Sequence, residues 1–185
     1  MDFVKCLLML SPTILVSGSA DSTMRVWDLN TGKTIRILKD HSRSVEALCL
    51  SDCGSYLFSA SSDSTINKYS LVDFSLLGQM IGHATSIYMI QFFDDMLYSV
   101  SADKTCKRWN TETGICDMTI ESADFLKSVA VWRGFVIVSG REEDIHVWDP
   151  TVSIFLSHKS CELKPLDRVK HWYILFAGTL MKCLL

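Results

Sequence analysis

The sequence lacks a strong charge of either sign, since its 185 residues carry a net charge of −3. Lysine and arginine are scattered along the chain, and the nearest approach to a cluster is RVKH at 168–171. A protein that binds nucleic acid or an anionic membrane through electrostatics needs a concentrated basic surface. The composition therefore predicts neither nucleic acid nor a membrane as a partner.

Regular cysteine spacing and long apolar runs are also missing. The seven cysteines form no CxxC pair and show no recurring interval, whereas a disulfide framework or a zinc site needs organised spacing. We expect them to be reduced, metal-free and mostly buried. The longest apolar run, at 172–181, has ten residues, against roughly 20 for a membrane helix. These absences favour an intracellular protein, cytoplasmic or nuclear.

Two motifs of common enzyme classes do not occur. The sequence contains no G-x-x-x-x-G-K-S/T phosphate loop and no G-x-S-x-G nucleophile elbow. Its glycines instead fit turns or close approaches of strands. We therefore expect no cofactor.

What the sequence does contain is a segment that recurs four times. Each copy begins with serine, carries acidic residues in its middle and ends near an aromatic residue. The closing aromatic residues lie 42, 40 and 39 positions apart, and such a period is typical of repeat architectures. The copies are SGSADSTMRVWD (17–28), SASSDSTINKYS (59–70), SVSADKTCKRWN (99–110) and SGREEDIHVWD (139–149).

A second recurring piece lies upstream of each segment. DHSRSVEALCL (40–50) corresponds to GHATSIYMIQF (82–92), and DFVKCLLML (2–10) matches DFLKSVAVW (124–132). We interpret the N-terminal stretch as the first strand of a repeat unit. Its apolar core of about five residues and the lack of a small-residue cleavage site disfavour a secretory signal.

Each unit predicts four short strands separated by turns of Asp, Ser, Asn and Gly. In the second unit the strands are SVEALCL, YLFSAS, TINKYS and SLLGQM. Runs such as VEALCL and FVIVSG are almost wholly apolar, which predicts strands buried on both faces between neighbouring sheets. The sequence thus predicts an all-β protein with units at about 3–38, 44–81, 85–120 and 124–156.

These units resemble the WD-repeat (β-transducin-like) family, whose signature combines Gly-His, a Ser-x-x-x-Asp turn and a terminal Trp-Asp. Gly-His is intact at 82–83 and Trp-Asp at 27–28 and 148–149, and other copies vary. The resemblance covers about residues 2–160 and implies a β-propeller in which each unit is one blade. We expect four blades over residues 1–158 and a partial fifth blade or divergent tail over 159–185.

The predicted blade number has a consequence for association. WD-repeat propellers usually close with about seven blades, so four blades and a partial fifth predict an open arc. The two terminal faces would then need missing blades from another chain, or the protein would self-associate.

The resemblance also implies a structural tetrad, in which a Trp indole bonds a Ser, the Ser bonds a His and the His bonds an Asp. Carried onto this chain, the complete set is His83, Ser99, Asp103 and Trp109. The first unit's histidine would precede Met1. The partial sets are His41, Ser59, Asp63 and Tyr69 in the second unit, Ser17, Asp21 and Trp27 in the first, and Ser139 and Trp148 in the fourth.

The resemblance implies a non-enzymatic scaffold that binds partner proteins or peptides where its loops gather. The expected contact loops lie around 20–23, 41–44, 62–64, 83–86 and 102–104. Two alternatives remain open: a truncated or splice-variant fragment without independent function, and a hydrolase using the His83 set. A packing device recurs in every blade whereas a catalytic site is normally built once, and this repetition favours the structural role.

Overall fold

The computed structural model describes residues 2–141, 145–149, 154–158, 172–176 and 179–183. All regular structure in these ranges is β-strand. The strands are β1 (Val4–Ser11), β2 (Ile14–Ser19), β3 (Met24–Asp28), β4 (Lys33–Leu38), β5 (Val45–Leu50), β6 (Tyr56–Ser61), β7 (Thr65–Ser70), β8 (Leu76–Ile81), β9 (Ile87–Phe93), β10 (Met96–Ser101), β11 (Thr105–Asn110), β12 (Cys116–Glu121), β13 (Leu126–Trp132), β14 (Phe135–Gly140), β15 (Ile145–Asp149), β16 (Ile154–His158), β17 (Trp172–Phe176) and β18 (Thr179–Cys183).

The strands form four antiparallel sheets of four strands each, and we call these sheets blades one to four. Every blade is a meander in chain order, β1–β4, β5–β8, β9–β12 and β13–β16. Neighbours pair through hairpins because the turns between them are short and rich in Asp, Ser and Gly. The predicted N-terminal strand is β1, which pairs with β2.

The core lies between the blades. We call the side of a blade that contacts the preceding blade its near face, and the opposite side its far face. Three apolar clusters fill the three junctions, joining blade one to two, two to three, and three to four. At the second junction, Phe58 and Ile66 of blade two pack with Phe92 and Trp109 of blade three. This two-sided burial explains the nearly continuous apolar strands in the sequence.

The blades follow one another as an open arc. The first strands of the blades, β1, β5, β9 and β13, contact one another in that order. No extensive contact joins β1 to β13 within the part of the chain that the structure describes. The fifth sheet is the hairpin of β17 and β18. The rest of the expected partial blade or tail at 159–185 lies outside the described residues.

Two glycines are required by close approach. A Cβ added to Gly18 would lie 2.6 Å from the Cys6 sulfur and 2.7 Å from a Val45 methyl group. A Cβ on Gly140 would collide with the carbonyl oxygen of Phe125. Both positions follow the same VS step, so the glycine of each VSG sequence lets a first strand pass close by.

Candidate functional site

The complete polar set of blade three is assembled from the β8–β9 loop, strand β10, the β10–β11 turn and strand β11. His83 sits in the β8–β9 loop, where its Nδ1 lies 2.8 Å from Asp103 Oδ2 and its Nε2 lies 2.7 Å from Ser99 Oγ. The indole Nε1 of Trp109 donates to the same Ser99 oxygen at 2.8 Å. Ser99 is completely buried, and Trp109 is 1% exposed. The structure therefore brings together all four residues of the expected set.

The protons of this set can be assigned from donor and acceptor chemistry. An ionised Asp103 only accepts, so His83 donates from Nδ1 and its Nε2 accepts the Ser99 hydroxyl proton. Ser99 in turn accepts from Trp109, and every group is satisfied with a neutral imidazole. Burial lowers the pKa of His83 in spite of the neighbouring carboxylate, which favours this neutral form.

Asp103 is held ionised by its own turn. Burial raises its pKa, but hydrogen bonds from Thr105, the Ala84 backbone N–H and His83 outweigh burial and place the pKa at about 2. The Ala84 N–H donates to Asp103 Oδ2 at 2.9 Å. One carboxylate therefore ties the loop before β9 to the turn before β11.

Blade two repeats the arrangement with one change. His41 bridges Asp63 at 2.9 Å and Ser59 at 2.7 Å. Tyr69 occupies the place of the tryptophan and is completely buried. Its hydroxyl accepts a hydrogen bond from Asn67 Nδ2 at 3.2 Å, and burial raises the pKa of this phenol.

Blade one contains the serine, the aspartate and the tryptophan of the set. Trp27 Nε1 donates to Ser17 Oγ at 2.9 Å. Asp21 accepts from the backbone and hydroxyl of Thr23 at 3.0 and 2.6 Å. The turn and the indole contact therefore form here as well.

The expected pairing of Ser139 with Trp148 in blade four is wrong. Ser17, Ser59 and Ser99 each pair in register with the residue two positions before the closing aromatic. In blade four that register position is held by Val138, which pairs with His146, whereas Ser139 pairs with Ile145. Adjacent residues of a strand point to opposite faces, so Ser139 and Trp148 lie on opposite sides of the sheet. The fourth segment is one residue shorter than the other three. Aligning it by its first serine therefore placed Ser139 at a position that Val138 holds in the structure.

Each set contains two further members that were not predicted from the sequence. Thr105 donates to Asp103 Oδ1 at 2.6 Å, and the Asp103 N–H donates to Ser101 Oγ at 3.1 Å. Blade two repeats both bonds through Thr65 and Ser61. The signal was present as Ser-x-Asp-x-Thr, which occurs in the first three copies. The residue after each aspartate has positive φ, 67° at Ser22, 70° at Ser64 and 70° at Lys104.

The chemistry of this arrangement fits positioning better than catalysis. A nucleophilic serine must reach substrate and an oxyanion site. The Ser99 hydroxyl is completely buried and contacts both an indole and an imidazole. The repeated sets instead fix the loops at one end of the blades.

A cleft lies at this end, between the loops of blades two and three. Its volume is about 520 Å³, and it is lined mainly by small hydroxyl side chains. Arg43 is exposed at its margin. The lining residues are Ser42, Arg43, Ser62, Asp63, Ser64, Ala84, Thr85 and Ser86. Expected contact loops 41–44, 62–64 and 83–86 therefore meet around one depression.

No helix in the part of the chain that the structure describes is long and apolar enough to cross a bilayer. Among those residues five cysteines are free, namely Cys6, Cys49, Cys53, Cys106 and Cys116.

Comparison with solved structures supports the propeller architecture. A structure of U3-55K superimposes with a TM-score of 0.75 at 21% identity, covering 83% of this chain and 51% of that one. The WD40 repeats of RRP9 give the same TM-score and identity, over 50% of their chain. The prediction of a β-propeller segment in an open arc is confirmed.

Sequence comparison gives relatives of the same kind. A WD repeat-containing protein of Schizosaccharomyces pombe is 29% identical over 92% of this chain. The nuclear distribution protein nudF of Aspergillus niger is 30% identical over 86% of this chain. The chain spans 50% and 40% of the length of these two relatives. The family model for the WD domain, G-beta repeat, matches residues 2–28, 32–70 and 74–110. The chain belongs to the WD40 repeat family.

Proposed function

We propose that this protein is a non-enzymatic interaction scaffold that binds partner proteins or peptides at its loop face. The observation that carries the proposal is the cleft between blades two and three, whose walls are held by the His41 and His83 sets. A surface with fixed loops binds without ordering them first, which favours affinity. Fold alone does not select the partner.

The chemistry of the cleft narrows the type of ligand. Asp63 accepts from His41, from the Ser42 N–H and from Thr65, so its carboxylate is occupied. Arg43 is exposed and supplies a guanidinium beside several hydroxyl groups. Such a surface suits a polar segment with an acidic or phosphorylated side chain.

Capture of interacting proteins tests the proposal. Immobilised wild-type chain and the variant Arg43→Glu are compared for proteins retained from a cell extract. Val72→Glu is the matched control, since Val72 is 94% exposed and lies at the opposite end of blade two. We expect Arg43→Glu to lose specific partners that the control retains. Equal retention by all three proteins would contradict the proposal.

The same proposal includes the compartment and the absence of catalysis. We propose an intracellular location, cytoplasmic or nuclear, because several cysteines are free thiols. The hydrolase alternative predicts ester hydrolysis that Ser99→Ala abolishes. We expect no such activity in the wild-type chain.

We also propose that a further partner supplies a blade to the arc. The partner is either another chain with missing blades or a second copy of this one.

A further inference from the structure

A small cavity lies between the far face of blade two and the β11–β12 turn of blade three. Its volume is about 190 Å³. Its walls include Lys68, Gly78 and Met80 of blade two and Thr111 and Glu112 of blade three. None of these residues lines the cleft between the loops, so the cavity and the cleft are separate surfaces.

Gly78 opens this cavity, and its surroundings do not require a glycine. A Cβ added to Gly78 would meet no heavy atom within 4 Å beyond its chain neighbours, and the residue has no positive φ. Register gives the equivalent positions, which are Arg36 in blade one and Met118 in blade three. Blade two therefore lacks a side chain where its neighbours carry long ones. A glycine inside a strand often marks a place that a ligand or another backbone approaches.

The charge of Lys68 lacks the partner that the equivalent cation of blade three has. Arg108 holds the same register in β11, and its guanidinium donates to both carboxylate oxygens of Asp117 at 2.9 and 3.0 Å. Asp117 is the extra residue of a bulge in β12, and the extra residue of the matching bulge in β8 is Leu77. Among the described residues, Lys68 forms no ion pair.

Lys68 is held in place without being neutralised. Its ammonium donates to the carbonyl oxygen of Thr111 at 2.8 Å and lies 3.9 Å from the centre of the Tyr56 ring. Both partners are uncharged, and an ammonium has further N–H donors to offer. Lys68 can therefore bind a carboxylate in the cavity without first being ordered.

The last strand of blade two, β8, also offers an unpaired backbone edge. Among the strands that the structure describes, it pairs with β7 alone. Charged side chains protect such an edge against pairing with another strand. The last strands β4 (KTIRIL) and β12 (CDMTIE) each carry two charged residues, whereas β8 (LLGQMI) carries none. Leu76 and Leu77 of β8 are instead 45% and 52% exposed.

We propose that a partner protein adds an extended segment to the edge of β8 and places an acidic side chain in this cavity, where Lys68 binds its carboxylate. Strands are spaced by about 4.8 Å, so a residue opposite Gly78 on the added strand lies about 10 Å from β7. Because Gly78 has no side chain, a long acidic side chain can cross it to reach Lys68. The carboxylate then takes the place that Asp117 fills in blade three. This site goes beyond the binding proposed for the loop face, because the two surfaces share no residue.

Fluorescence anisotropy with two synthetic peptides tests the proposal on the full chain. One probe is a fluorescein-labelled heptapeptide of threonine and valine with a central glutamate, and the other has glutamine in its place. We expect wild type to bind the glutamate peptide about ten-fold more tightly, because only the carboxylate makes a charge-assisted hydrogen bond. Lys68→Arg should keep this preference and Lys68→Met should lose it. Glu112→Gln should tighten binding of the glutamate peptide, since it removes a like charge from the cavity.

Gly78→Met is a second variant that fills the cavity without displacing a neighbour. We expect it to abolish binding of the glutamate peptide, whereas Val72→Met, at an exposed position of the same blade, should bind like wild type. Arg43→Glu should also bind like wild type, which separates this test from a failure of loop-face binding. Circular dichroism checks the fold of each variant. Equal or absent binding of the two peptides by wild type, or wild-type binding by Gly78→Met, would overturn the proposal.

Discussion

The buried hydroxyl of Ser99 connects an indole to an imidazole, and its removal should be costly. Replacing Ser99 by Ala leaves Trp109 Nε1 and His83 Nε2 without their partner. An unsatisfied buried polar group costs about 1–3 kcal/mol, so Ser99→Ala, Trp109→Phe and Asp103→Ala should each lower the free energy of unfolding by about that amount. Denaturant unfolding measures the loss. Negligible effects at all three positions would contradict a structural role for the set.

His83 and Asp103 should make the folded protein less stable in acid. The pKa of His83 is lowered from 6.5 in the folded chain, so the unfolded chain takes up a proton at this residue more readily than the folded chain. The stability that His83 contributes is therefore lost as the pH falls below about 6.5. The pKa of Asp103 falls from 3.8 to about 2, and its contribution is lost between these values. We expect the midpoint of urea unfolding to fall in two stages on acidification.

A double variant separates these effects from general acid sensitivity. His83→Gln with Asp103→Asn removes both titrating groups of the polar set in blade three, whereas the blade-two set stays intact. The double variant should show a smaller decline in stability between pH 7 and pH 3 than wild type. An unchanged decline would place the acid sensitivity elsewhere.

The cysteines differ in reactivity because their surroundings differ. Burial raises the pKa of Cys6 to about 11 and the pKa values of Cys49 and Cys106 to about 12. Cys53 is exposed, and hydrogen bonds from Ser51 and Ser55 lower its pKa. The thiolate is the reactive form, so iodoacetamide should modify Cys53 before Cys6, Cys49 and Cys106 in the folded protein. Mass spectrometry of peptides checks this order, and prior modification of Cys106 would contradict the burial.

At the scale of the strand, Tyr69 shows how one substitution is accommodated by its neighbours. Asn67 is completely buried on β7, donates to the Tyr69 hydroxyl and accepts from Gln79 Nε2 of β8 at 2.9 Å. The phenol therefore continues a polar network along the blade.

This network predicts that restoring the family tryptophan is unfavourable. Tyr69→Trp places a larger ring in a completely buried site and removes the partner of Asn67 Nδ2. Overpacking and the lost hydrogen bond should each cost on the order of 1–3 kcal/mol. Thermal unfolding measures the change, and Val72→Trp is an exposed control. A stabilised Tyr69→Trp variant would contradict the importance of the Asn67 network.

For the whole molecule, stability depends on contacts between successive blades. Successive blades bury the faces that they turn towards each other, so stability is approximately a sum of blade and junction terms. A partner that binds only the folded chain adds to this stability by mass action.

The melting temperature should therefore depend on protein concentration. If a second copy covers blade one, the melting temperature of wild type should rise with concentration, because association favours the folded form. Differential scanning calorimetry at several concentrations measures this rise, and a constant melting temperature for wild type would contradict association.

The sequence by itself determined the blade pattern and most of the polar sets. The forty-residue period and the turn residues predicted the strands, since period and turn chemistry are local properties of the chain. His41 and His83 were assigned correctly to their serine and aspartate partners because the repeats align without gaps in those copies.

Only the tertiary structure decided the details that depend on register and on contacts between blades. Ser139 was misplaced because a shift of one residue reverses the face of a strand, and the pairing of β14 with β15 showed the correct position. The exposure of Leu7, which is 62%, was likewise not readable from hydrophobicity. Ile90 pairs with Ser99 as Leu7 pairs with Ser17, yet it is only 3% exposed. Whether such a side chain is covered depends on the neighbouring blade, and that neighbour is set by how the blades pack.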